Sequence, residues 1–76
     1  MNPEYLVTMA NDISHFFAAE QDRDQAVKLI AAHLKRYWDP RMRRDIVAFY
    51  RQGGEGFDDT VRRAVALLAD EAPPAK

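Results

Sequence analysis

His15 and His33 are the first places to look for chemistry in this 76-residue chain, because imidazole binds metals and moves protons near neutral pH. Asp12 stands one turn before His15 and Tyr37 one turn after His33, spacings at which side chains touch but which make no metal pair. The chain contains no cysteine, so thiolate ligation of zinc or of an iron–sulfur cluster is closed to it. Two histidines are too few for a structural zinc site. All three glycines fall in Gly53-Gly54-Glu55-Gly56. Neither a strand pattern before that run nor a Lys-Ser/Thr after it supports a phosphate cradle, so it reads as a helix stop. No nucleophile is spaced against a base, and no carboxylate pair convincingly shares a helical face. The chain by itself is therefore expected to be no enzyme, with no catalytic, cofactor-binding or metal-ligating residues.

Two other groups of residues are better suited to holding a partner. Six aromatics come as adjacent pairs near helix ends: Phe16-Phe17, Tyr37-Trp38 and Phe49-Tyr50. Neighbours diverge by ~100° around a helix, so one member of each pair tends to the margin of an apolar stripe that is itself ~100° wide. Filling a small core is the competing use of such side chains. The second group is the basic cluster Lys35, Arg36, Arg41, Arg43 and Arg44 around Trp38-Asp39-Pro40. Arg41, Arg43 and Arg44 fall in the first turns of a helix, where each cation opposes the dipole at a cost of ~0.3–1 kcal/mol. Pairing of Asp39 with Arg43 and of Arg41 with Asp45 offsets part of that cost, while Arg44 has no obvious partner. The surface these residues point to comprises Trp38, Pro40, Arg41, Arg43 and Arg44, joined by Phe17 and Tyr50, and it suits carboxylates on a protein partner. Trp38 has an alternative use as the core anchor of the chain's own fold. An alternative function is DNA binding by a helix-turn-helix, with arginines opening the second helix. Against it stand a corner with no glycine, bulky Trp38 and rigid Pro40, and a formal net charge of -1 that draws nothing to phosphate.

These residues must be placed by helices, because apolar side chains recur at helical spacing in four stretches and no strand alternation appears. Asn2 and Pro3 open a first helix over about residues 3–20, with Leu6, Met9, Ile13, Phe16 and Phe17 along one side. Asp22, with Gln25 reaching back in a variant of the capping box, caps a second that runs to about Tyr37 and turns Val27, Ile30, Ala31 and Leu34 inward. Pro40 forces a corner at Trp38-Asp39, and Asp39 caps a third helix carrying Met42, Ile46, Phe49 and Tyr50. The glycine run ends it. Asp58 and Asp59 start a fourth, with Val61, Ala64, Val65 and Leu68 inward. The fold class is all-α, a compact four-helix bundle or orthogonal helical array, with a single domain over 1–71 and a flexible tail over 72–76.

A core this small seldom supplies more than ~3–5 kcal/mol, and with disulfides and metal excluded a partner is the remaining source of stability. Eleven basic against 12 acidic side chains give no global field towards nucleic acid or a membrane. No run of ~20 apolar residues is present and the first residues lack a basic secretory start, so a soluble cytoplasmic protein is expected.

The order Leu6-Val7, Met9-Ala10-Asn11, Phe16-Phe17, His33-Leu34 and above all Trp38-Asp39-Pro40-Arg41-Met42-Arg43 resembles the delta subunit of NAD-dependent, molybdenum-containing formate dehydrogenase, over about residues 5–68. The resemblance implies an accessory subunit that binds the larger subunits, which oxidise formate to carbon dioxide and reduce NAD, and that stabilises them or helps assemble them. It assigns molybdopterin guanine dinucleotide, the iron–sulfur clusters and the FMN to those subunits and none to this chain. Asp12 and Asp59 depart from the glutamine and proline such relatives are expected to carry. Self-association of the isolated chain is left open.

Overall fold

The computed structural model describes residues 2–71, and the tail expected over 72–76 lies outside them. Helix α1 (Pro3–Phe16) opens on Asn2, whose Oδ1 accepts from the Glu4 amide at 2.8 Å, with Pro3 where no amide hydrogen is needed. Helix α2 (Arg23–Tyr37) is capped by the Asp22 carboxylate, which accepts from the Asp24 and Gln25 amides at 3.0 and 3.2 Å, while the Asp22 amide donates to Glu20 Oε1 at 3.1 Å in place of the expected Gln25 side chain. Asp39 caps α3 (Pro40–Arg51) through the Met42 amide at 2.9 Å. Helix α4 (Asp59–Glu71) takes its first backbone bond from Arg62 N–H to Asp58 O, 2.9 Å. Among the described residues there is no strand, and no helix is long and apolar enough to cross a membrane.

The first helix stops at Phe16, short of the expected residue 20. From Phe17 the chain tightens, with Phe17 N–H bonded to both Ile13 O and Ser14 O, Ala18 N–H to His15 O and Glu20 N–H to Phe17 O. Ala18 and Ala19 would tolerate more helix, so tertiary packing ends it: the turn brings half-buried Phe17 onto the core, and Arg23 holds Glu20 O at 2.7 Å. The rotation of α1 also differs from expectation. Leu6, Val7, Ala10 and Ser14 face inward, Met9 and Ile13 sit at the margin, and Phe16 is exposed.

The core is built around Leu6, Ile30, Leu34, Ile46, Val61 and Val65, all fully buried, and the inward stripes of α2 and α4 are the expected ones. These two helices share the most extensive contact in the fold. They are strapped at both ends, by Asp24 with Arg63 near their starts and Lys35 with Glu71 at their ends, and so run in the same general direction. The Cα radius of gyration is 11.4 Å, the value a well-closed chain of this length reaches.

The end of α3 explains the glycines. Gly54 N–H bonds Phe49 O and Gly53 N–H bonds Tyr50 O, each at 3.1 Å, the paired closure that needs a left-handed residue just past a helix. Gly53 supplies it at φ 127°. Gly54, at φ 61°, is required twice over, since a Cβ there would stand 2.9 Å from the Phe57 ring.

Candidate partner-binding surface

The corner between α2 and α3 splits the expected surface into two kinds of residue. Trp38, placed on the leading surface from sequence, is instead core: only 6 % of it is exposed and it packs with Leu34 and Ile46 in the buried cluster. The physical reason is the extended backbone at Trp38 (φ -87°, ψ 138°), which turns the chain off α2 and sends the indole back under the bundle. Arg43 also has a structural use. Its guanidinium donates to Lys35 O at 3.3 Å, one of the carbonyls left over at the end of α2, and this bond takes the place of the expected pairing with Asp39. Tyr50 is half-buried against the core at the far end of α3, and Phe17 is half-buried at the end of α1.

Pro40, Arg41 and Arg44 do lie on the surface. Arg41 and Arg44 make no hydrogen bond or ion pair among the described residues. The Asp39 carboxylate at the cap is the acid that meets the positive end of α3, the first turn itself holds none, and Arg41 and Arg44 add cations there. A carboxylate brought from outside would relieve that local cost.

A second exposed region lies beside this corner. Phe16 is 79 % exposed and Tyr37 66 %, and the two are joined by a continuous series of ring contacts. Phe16 meets Phe17 edge to face at 5.1 Å, Phe17 meets His33 at 6.3 Å, and His33 meets Tyr37 at 4.7 Å. The Arg36 guanidinium lies 5.8 Å from the centre of the Tyr37 ring. Between α1 and α2, Asp12, Ile13, Phe16 and His33 line a shallow open hollow whose surface is almost wholly apolar. Sequence reasoning missed the hollow because it placed Phe16 on the inward stripe. The signal that could have found it is the polar set Asn11, Ser14 and His15, which claims the opposite side of α1.

That opposite side is a clasp. The Asn11 amide group donates to Gly56 O and its carbonyl accepts from Asp58 N–H, each at 3.0 Å. Ser14 and Thr60 hydroxyls share a bond of 2.7 Å, and His15 Nε2 lies 3.3 Å from the Asp58 carboxylate, so the acid beside His15 is Asp58 and not Asp12. Arg62 completes the polar frame by donating to Gly53 O at 3.1 Å and Gly54 O at 2.6 Å. The glycine carbonyls are thus consumed by the fold. Asp24 is held below its ordinary carboxylate range, chiefly by its hydrogen bond from Arg63, and the Arg63 guanidinium is correspondingly raised. Among the described residues no group of three or more His, Asp or Glu side chains converges as metal ligands do.

A family model described as the NADH-dependent formate dehydrogenase delta subunit, FdsD, matches residues 5–65, a span that reaches from α1 into α4 and contains both exposed regions. No curated protein and no solved structure matches the chain. The chain belongs to the formate dehydrogenase delta subunit family.

Proposed function

We propose, from that membership, that this chain is a non-catalytic accessory subunit that binds the larger subunits of a cytoplasmic NAD-dependent formate dehydrogenase and stabilises them or helps assemble them. The family match over residues 5–65 carries the reading. The geometry supports it, because a domain with a closed core leaves Phe16, Tyr37, Arg41 and Arg44 on its surface with little to do for its own fold. The donor set supports the division of labour. With no cysteine, the chain does not fit an iron–sulfur cluster, and its glycine run, closed on itself by Arg62, does not fit a nucleotide phosphate. Molybdopterin guanine dinucleotide, the clusters and the FMN are assigned to the larger subunits, and no step of formate oxidation is routed through this chain.

Deleting the chain from its own cells tests the role. The amount of intact dehydrogenase complex should fall while turnover per assembled complex stays unchanged. An unchanged yield of complex, or formate-dependent turnover by the purified chain alone, would contradict the reading. Duplex DNA at physiological salt should bind no tighter than the non-specific range of ~10⁻⁴–10⁻⁶ M, and a nanomolar complex with a defined sequence would replace the proposal with the helix-turn-helix reading.

A further inference from the structure

The hollow between α1 and α2 has three properties of a preformed recognition site. Its lining residues Ile13, Phe16 and His33 are apolar or aromatic, and they sit on two helices, not on a loop. The ring series from Phe16 through Phe17 and His33 to Tyr37 sets Phe16 and His33 against neighbouring rings, which orders part of the lining before a partner arrives. The charge around it is lopsided. Arg36 lies over Tyr37 at one end, exposed Arg41 and Arg44 follow within two turns of chain beyond Tyr37, and Asp12 is the single carboxylate in the lining.

We propose that this hollow receives an acidic-flanked apolar segment of a larger dehydrogenase subunit. One bulky aliphatic or aromatic side chain of that segment enters between Ile13, Phe16 and His33, and carboxylates beside it face Arg36, with Arg41 and Arg44 beyond. The inference rests on the accessory-subunit reading and adds the site and the chemistry of its occupant. Charge complementarity selects the occupant. A second copy of this chain would set the same surplus of arginines against itself, whereas a segment carrying Asp or Glu compensates cations that have no ion pair within the described part of the chain. The buried part of the contact is aromatic and the rim is charged, the arrangement in which a few central side chains carry most of the affinity.

The test uses the complex purified from cells that make the full-length chain with a photoreactive benzophenone amino acid at position 16 or, as the control, at position 52. Both positions are exposed, so neither probe disturbs the core. On illumination the probe at 16 should join a peptide of a larger subunit that carries a bulky apolar residue with Asp or Glu within about one helical turn. The probe at 52 should not. Arg36→Glu should weaken capture of the larger subunit by roughly tenfold or more, and replacing the facing acid of the crosslinked peptide by Lys should restore it. A complex that assembles while the probe at 16 stays silent overturns the site, and the accessory-subunit reading survives. A crosslink to a second copy, or to a peptide without carboxylates, overturns the occupant. Failure to recover any complex with the unmodified chain overturns the accessory-subunit reading and this inference with it.

Discussion

The two sides of α1 do opposite work. Asn11, Ser14 and His15 project to one side and hold chain 43 to 47 residues away, from Gly56 to Thr60, through four polar contacts. Asp12, Ile13 and Phe16 project to the other side and open on the hollow. Both sets follow the same i, i+3 or i+4 spacing, so periodicity alone does not tell them apart. Chemistry does: the clasped side is polar and short, and specifies where the glycine loop and the start of α4 must sit. The open side is bulky and apolar, and leaves a phenylalanine largely in water. An exposed phenylalanine that adjoins a hollow and a further exposed aromatic, Tyr37, is the kind of apolar patch that suits a partner, which is the role proposed for it above.

Substitutions on the clasped side should have the largest effects on stability. Gly54→Val forces a β-branched residue to a positive φ and drives its side chain into the Phe57 ring. A loss of about 3 kcal/mol is expected, enough to leave much of the protein unfolded at ambient temperature, as urea titration followed by circular dichroism would show. Asn11→Ala should cost about 1–2 kcal/mol by the same measurement, because it removes the bonds to the exposed Gly56 carbonyl and the half-buried Asp58 amide together. Its neighbour Asp12, one residue along but on the open side, should tolerate Asp12→Ala within ~0.5 kcal/mol. A large loss at Asp12 with none at Asn11 would invert the assignment of the two sides.

On the open side the effects should move from folding to binding. Phe16→Ala gives up one edge-to-face contact with Phe17, worth at most ~0.5–1.5 kcal/mol and less for so exposed a ring, yet it should weaken association with the larger subunit by roughly tenfold. An Arg41→Glu, Arg44→Glu double variant should keep its helical circular dichroism and lose association as well, since charge reversal meets repulsion where attraction operated. The smallest effect concerns pH. The folded state lowers the pKa of Asp24, chiefly through its hydrogen bond from Arg63, so the strap contributes stability above the unfolded aspartate value of about 3.9 and loses it as pH falls through the lower folded value. Because both side chains are solvated, the comparison of Asp24→Asn with the parent over that acid window should show a slight difference that high salt removes.

Much of the fold was legible in the sequence because its determinants are local. Asn2, Asp22 and Asp39 cap as read, Pro40 makes the corner, the glycines end α3, and the stripes of α2 and α4 face inward. What was not legible depends on partners far along the chain. The rotation of α1 is set by Asn11 and Ser14 reaching the α3–α4 loop and Thr60, so small Ala10 and Ser14 turn inward where bulk favoured Phe16. Arg43 was read by helical spacing as the partner of Asp39, but a carbonyl one helix earlier receives it. Trp38 illustrates the limit for the candidate surface. A tryptophan at a corner is equally suited to anchoring a core and to docking, and only the backbone course at that residue decides for the core.

On the proposed division of labour, the clasped side of α1 holds the fold and the open side holds the partner. Affinity purification of the tagged chain from its own cells, run in parallel for the parent, Asn11→Ala and Phe16→Ala at a temperature where all three are shown to be folded, tests it most directly. The parent should bring down larger formate dehydrogenase subunits at a fixed ratio, Asn11→Ala should do so nearly as well, and Phe16→Ala should recover roughly a tenth as much. Equal recovery by Phe16→Ala, or loss confined to Asn11→Ala, would contradict the account.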